Sequence, residues 1–451
     1  MGFRKDFVWG AASSAYQVEG AADRDGKGDS IWDRYCREPG RILDGSDGSR
    51  ACMHYDRYEE DVRHMAQMGL KAYRFSISWP RIYPEGTGAV NEKGLRFYSD
   101  LVDCLLAHGI EPWITLFHWD LPCALYERGG YLNPDFPGWF ADYAGTVVKA
   151  LSDRSTHFIT FNEPQCFVGL GFLTGEHAPG LRMMLSDTFR MAHHVLLAHG
   201  RAVQSMRAAA AQPIQIGYAP TCGAAYPVGS SPEDVEAAKI GYFACPEDLS
   251  NWTWNVSWWS DPVLLGTYPE DGLRLYEPWL PHIGQDDLRL IHQPIDFYGQ
   301  NIYNGTAYRA GRVPEAVRRY DGFPKTAAQW PVTPECLYWG PRFLYERYQT
   351  PIYITENGMS CHDTVSLDGK VHDPNRIDFL QRYLRELRRA SEDGVDIRGY
   401  FQWSLTDNFE WARGYQERFG LIYVDFQTQE RIWKDSAYWY QELIRSSGEI
   451  L

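Results

Sequence analysis

Short apolar runs recur along this chain, each followed by a polar or aromatic cluster and then by a stretch with helical spacing. Eight runs stand out, at residues 7–11, 72–77, 112–117, 158–161, 214–218, 295–298, 351–355 and 398–403. Several are β-branched or aromatic with little alternation, the pattern of strands covered on both faces. Between them, residues 59–68 place Val62, Met65 and Ala66 on one stripe, with Gly69 as the stop signal. Residues 95–107 and 140–151 have similar spacing, and residues 377–390 predict a helix with a charged outer face.

Strands alternating with helices predict right-handed crossovers and a parallel sheet. For 451 residues, a closed (β/α)8 TIM barrel with elaborated βα loops fits better than an open doubly wound sheet. No Ser/Gly-rich linker or composition break interrupts the chain, so residues 1–451 are expected to form one catalytic barrel domain. The long aromatic segment 221–294 reads as a decorated βα loop with short helices of its own.

A barrel carries its chemistry where strands end. Polar clusters stand at those places: Gln17, Arg74, His118-Trp119-Asp120, Asn162-Glu163-Pro164, Asn301-Ile302-Tyr303, Glu356-Asn357-Gly358, and Trp403 followed by Glu410-Trp411. Two glutamates are foremost among them. Glu163 closes Thr160-Phe161-Asn162-Glu163-Pro164 after the fourth run, and Glu356 lies in Ile354-Thr355-Glu356-Asn357-Gly358 after the seventh. On an eight-stranded ring, positions three strands apart can face one cleft from opposing sides. Paired carboxyls across a cleft are the minimum equipment for glycosidic cleavage, one giving a proton to the leaving oxygen and the other meeting the cationic sugar carbon.

Composition narrows the partners. With 44 basic against 59 acidic residues the net charge is −15, which disfavours nucleic acid and anionic membrane surfaces. Arg382, Arg385, Arg388 and Arg389 have helical spacing and read as a solvated face. The nine cysteines are scattered without a Cys-x-x-Cys, so no zinc ribbon or redox pair is indicated. They read as buried thiols in a reducing cytosol. The start lacks an apolar signal-like core, and no run of about 18 apolar residues occurs, so a soluble cytoplasmic protein is expected. His193, His194 and His199 lack the spacing of a zinc helix, and residues 169–175 break the dinucleotide-loop pattern. No metal and no cofactor are expected. A G-x-S-x-G elbow is also absent, which weighs against an esterase.

These motifs resemble glycoside hydrolase family 1, the β-glucosidase family, over nearly the whole chain, from Phe3-Arg4-Lys5-Asp6-Phe7 to Lys434-Asp435-Ser436-Ala437-Tyr438-Trp439. The resemblance implies a retaining exo-β-glucosidase acting on cellobiose, short oligosaccharides or aryl and alkyl β-glucosides. It assigns Glu163 as acid/base and Glu356 as nucleophile, with retention requiring their carboxyls about 5–5.5 Å apart. Arg74 matches the arginine beside the nucleophile, Tyr303 the tyrosine that bonds it, and Asn162 the residue holding the sugar 2-hydroxyl. The implied substrate-binding set is Gln17, His118, Trp119, Asn162, Asn301, Tyr303, Trp330, Trp403, Glu410, Trp411 and Phe419, with Trp330 as the leaving-group platform.

Glu410 can accept two adjacent hydroxyls and would repel a 6-phosphate, which points away from the family's 6-phospho-β-glucosidases. A galactose or fucose unit stays open, as does oligomeric state. Glutamate at 163 also departs from the thioglucosidase pattern, and both carboxyls being present disfavours a non-catalytic sugar-binding relative. Trp252, Trp254, Trp258 and Trp259 read as loop packing. The family usually has tryptophan directly after Asn-Glu-Pro. Gln165 stands there in this chain, predicting a more polar or roomier leaving-group site.

Overall fold

The computed structural model describes residues 2–451. Eight parallel strands close into a barrel: β1 (Val8–Ala12), β2 (Ala72–Ser76), β3 (Glu111–Phe117), β4 (His157–Asn162), β5 (Gln215–Ala219), β6 (Phe297–Asn301), β7 (Ile352–Asn357) and β8 (Ile397–Trp403). Each strand pairs with its neighbours in chain order, and the ring shuts where β1 pairs with β8, Val8 opposite Gly399 and Ala12 opposite Trp403. Helices follow the strands in turn, among them His54–Met68, Glu92–Ala107, Phe136–Leu151, Leu185–Ala209, Cys336–Tyr348, Pro374–Glu392 and Asp435–Arg445. The expected (β/α)8 TIM barrel is the observed architecture.

Burial on both faces explains why the strands read as apolar runs. Inside the ring, Trp113 packs against Phe297, Tyr353 and Phe401 with ring centroids 4.7–5.2 Å apart, so the lower barrel is a filled core. The active face must lie above this plug, at the strand C-termini. Helix starts fall three to five residues before the apolar stripes because the first turns carry polar residues or proline. Phe136–Leu151 and Pro374–Glu392 both hold proline at their first or second position. Gly69 ends His54–Met68 in the left-handed conformation, φ 82°, as its position predicts. The sixth strand starts at Phe297 rather than 295, because Asp296 turns its carboxylate outward to accept from Ile216 N at 2.7 Å.

Two features outside the barrel carry no sequence signal. Within the long segment after β5, the expected short helices are joined by a strand, Ala224–Pro227, that pairs in parallel with Gly305–Arg309 beyond β6. After β8, Ile422–Val424 and Arg431–Trp433 form an antiparallel ribbon. A buried ion cluster fastens these late segments. Lys434 Nζ lies 2.5 Å from Asp363 and 2.6 Å from Asp407, Arg376 pairs with Asp363 and Asp373, and Arg418 reaches Asp407 at 2.6 Å. No helix among the described residues is long and apolar enough to cross a membrane. Of the nine cysteines, Cys52, Cys166, Cys245 and Cys336 are buried and the other five partly so, all unpaired.

Candidate active site

A cavity of about 730 Å³ opens at the C-terminal face of the barrel. Glu163 and Glu356 both line it, with His118, Trp119, Tyr303, Trp330, Trp403, Glu410, Trp411 and Phe419. Four residues singled out from the sequence stand just behind this wall, each bonded to a residue that lines it. Gln17 Nε2 donates to Glu410 at 3.4 Å, Arg74 to Glu356 at 2.6 Å, Asn162 Nδ2 to His118 Nε2 at 3.1 Å, and Asn301 Nδ2 to Glu163 at 2.8 Å. The structure therefore draws the whole set into one site on two levels.

Arg74, from the middle of β2, is the hub of the lower level. Its Nε donates to Thr115 Oγ1 at 3.1 Å, Nη1 to the Thr355 carbonyl at 3.0 Å and to Glu356 Oε1, and Nη2 to Asn162 Oδ1 at 2.5 Å. Tyr303 OH donates to the other oxygen, Glu356 Oε2, at 2.7 Å. Glu356 is thus held by a cation and a phenol. Glu163 receives only the Asn301 amide on Oε1 and the Cys166 thiol on Oε2, at 3.2 Å. Because Asn162 Oδ1 accepts from both Arg74 and Asn301, its amide orientation is fixed, and its Nδ2 must face His118. His118 Nε2 then accepts, which puts the ring hydrogen on Nδ1, an atom with no protein partner. That is a donor ready for a hydroxyl.

Backbone geometry at the rim is unusual where the side chains matter. Glu163, Trp119 and Trp411 have φ of 46°, 81° and 50°, left-handed values that non-glycine residues adopt only under constraint. Glu163 caps the short helix Pro164–Val168 from this conformation. Gly358 is obligatory after Glu356-Asn357, since a Cβ there would lie 1.9 Å from the Trp403 carbonyl oxygen. Aromatic rings build two walls. Trp411 packs on Trp119 and Trp32 at 4.5 Å on one side, while Tyr303, Trp330 and Phe419 cluster on the other with centroids 5.0–6.4 Å apart.

Comparison with known proteins fits this geometry. The family model described as Glycosyl hydrolase family 1 matches residues 1–449. The chain belongs to glycosyl hydrolase family 1. Among curated proteins, it is 44% identical to Beta-glucosidase A of Acetivibrio thermocellus, covering 99% of each chain. It is 40% identical to the aryl-phospho-beta-D-glucosidase BglC of Bacillus subtilis, covering 100% of this chain and 98% of that one. Among solved structures, the beta-glucosidase of Thermotoga maritima in complex with glucoimidazole aligns with a TM-score of 0.90 at 42% identity, over 99% of each chain.

Within this glycoside hydrolase, electrostatics separate the two carboxyls. Burial pushes Glu163 up, and the charge of Glu356 adds to it, bringing Glu163 to about 8. Glu356 is also raised by burial, but Arg74, Tyr303 and Asn301 oppose that rise. The opposition from Arg74, Tyr303 and Asn301 at Glu356 favours the proton on Glu163. Glu410 is lifted to about 8 by burial and by Glu417 and Glu356. Burial and Arg74 hold His118 far below the ordinary imidazole value, so it stays neutral.

Other residues of the site escape sequence reasoning. Cys166, Leu170, His177, Thr221, Cys222 and Asn304 line the cavity without belonging to a motif. Trp254 also lines it, correcting its reading as loop packing, whereas Trp252, Trp258 and Trp259 are buried as expected. Gln165 does not line the cavity. It is fully buried and its Oε1 accepts from Thr221 N at 3.3 Å, while the next residue, Cys166, lines the cavity. The three helix histidines turn to separate partners: His193 to Tyr268, His194 to the Tyr131 carbonyl and His199 to Thr160.

Proposed function

We propose that this chain, residues 1–451 acting as one catalytic barrel, is a retaining β-glucosidase that works by double displacement. The observation that carries the reading is the unequal treatment of two carboxyls in one cavity. Glu356 is gripped by Arg74 and Tyr303 in its ionised form, while Glu163 keeps a proton to about pH 8. Glu356 attacks the anomeric carbon as Glu163 protonates the departing oxygen, leaving a glycosyl ester on Glu356. Forming that ester removes the negative charge facing Glu163, whose affinity for its proton falls. Glu163 then takes a proton from water, which attacks the ester and releases glucose with net retention.

The sugar lies among Trp403, Trp411, His118 and Glu410, with Gln17, Asn162 and Asn301 fixing the groups that meet its hydroxyls. The aromatic cluster of Tyr303, Trp330 and Phe419 supports the leaving group. The burial and the charges of Glu417 and Glu356 that keep a proton on Glu410 would act equally against a 6-phosphate. This favours an unphosphorylated glucose unit, despite the relative named as a phospho-glucosidase. Cellobiose and aryl β-glucosides are the substrates we assign. Nine unpaired cysteines support a reducing compartment, hence a cytoplasmic enzyme finishing cellulose breakdown.

The test uses nitrophenyl glycosides. Release from the β-glucoside but not from its 6-phosphate is expected, with lower rates on galacto- and fuco-configured analogues. Glu356→Gly is expected to abolish turnover and added azide to restore it. Full activity of that variant without azide would reject the assignment.

A further inference from the structure

Glu163 is held at both carboxyl oxygens, and the two partners differ in kind. Oε1 accepts from Asn301 Nδ2 at 2.8 Å, a nitrogen that cannot accept a hydrogen in return. Oε2 accepts from the Cys166 thiol at 3.2 Å. A proton on Glu163 therefore sits on Oε2, beside a sulfur that is both a weak donor and a weak acceptor. A hydroxyl in that place would bind the charged carboxylate more strongly, and a methyl group would not bind it at all.

The backbone makes this contact specific. Glu163 enters the helix Pro164–Val168 from a left-handed conformation, and Cys166 N donates to the Glu163 carbonyl at 2.9 Å. The two side chains thus emerge together on the cavity wall, which Cys166 shares with Glu163 while only 6% exposed. Several other groups act on or feel Glu163. Glu356 raises its proton affinity, Arg74 and Asn301 lower it, and the Tyr303 phenol and Glu410 lie within its field. Burial raises the thiol well above its ordinary value, so sulfur keeps its hydrogen throughout the working range.

We propose that Cys166 is a positioning residue for proton transfer, fixing Oε2 of Glu163 as the oxygen that carries the proton and balancing its acid and base forms. The proposal rests on the acid/base reading of Glu163. Without the thiol, Oε2 loses its partner in the carboxylate form. With a serine, that form is over-stabilised and Glu163 loses its proton at a lower pH.

The test compares two β-glucosides in the full chain: a methyl glucoside, whose leaving oxygen needs the proton, and a 2,4-dinitrophenyl glucoside, whose leaving group departs unaided. Cys166→Ser is expected to move the alkaline limb of kcat/KM down by about half a pH unit or more, and Cys166→Ala to move it up. In Cys166→Ala, kcat/KM for the methyl glucoside is expected to fall at least about three-fold more than for the dinitrophenyl glucoside. Equal losses on both substrates, or an alkaline limb unmoved in both variants, would overturn the proposal, since packing damage affects both leaving groups alike. Glu163→Gln is run in parallel. Loss of methyl glucoside cleavage with dinitrophenyl cleavage retained upholds the acid/base reading, so silent Cys166 variants would then refute the thiol's role alone. Methyl glucoside cleavage surviving in Glu163→Gln would bring down both.

Discussion

Neutralising Glu356 should lower the pH at which Glu163 gives up its proton, and the size of the drop follows from the site. Glu163 stands at about 8, through burial first and the charge of Glu356 second. Two unit charges at the separation retention requires, about 5.5 Å, interact by about 3 kcal/mol at an effective dielectric constant of about 20. At 1.36 kcal/mol per unit that is roughly two pH units. Glu356→Gln, or capping Glu356 with a slowly hydrolysed 2-fluoroglucosyl group, should bring Glu163 down to about 6. Burial remains in both cases, so the group should still titrate above an ordinary glutamate. Carbon-13 NMR of protein labelled at glutamate carboxyls gives the titration, with Glu163→Gln identifying the resonance. A Glu163 midpoint within half a unit of the unmodified enzyme in both forms would refute the reasoning, because Glu356 would then not be the charge that holds the proton on.

Further outcomes follow from other parts of the molecule. Lys434→Met leaves Asp363 and Asp407 without their shared cation and should cost about 3–5 kcal/mol in urea unfolding, whereas a loss under about 1 kcal/mol would mean the cluster is solvated. Glu410 keeps a proton to about 8 when folded but releases it near 4.5 when unfolded, so between those values stability falls as pH rises. Glu410→Gln should flatten that slope by about 1.4 kcal/mol per pH unit, read from urea midpoints at pH 5 to 8, and an unchanged slope would place its proton elsewhere. Gln165→Trp must either break the bond to Thr221 N or push a ring toward Cys166, so cellobiose cleavage should drop; a gain would show that the wall needs an aromatic ring.

The barrel was legible because its strands are buried on both faces and so write continuous apolar runs, and because each run ends in polar chemistry. Pairing between distant segments left no such trace. The strand Ala224–Pro227 meets Gly305–Arg309 some eighty residues on, and neither has an alternating pattern that would reveal it. In the site, the motif residues announced themselves, but their layering did not. Gln17, Arg74, Asn162 and Asn301 read as equals of His118 and Glu410, and only packing sets them behind the wall. Cys166 was one thiol among nine, made significant by the left-handed turn at Glu163. At Gln165 the departure from the family pattern was legible, but not the direction of its side chain, which turns to the backbone of Thr221.

The closure of the ring by β1 against β8 has a consequence for how the enzyme comes into being. The first strand emerges from the ribosome early but has no permanent neighbour on one side until the eighth is made, near residue 403. The cavity is stitched across the same seam, where Gln17 meets the Phe409 carbonyl and Glu410. A nascent chain therefore cannot be active in part. Seven-eighths of the barrel would leave an open edge that invites mispairing, and maturation should be all-or-none, with chaperone dependence greatest just before synthesis ends.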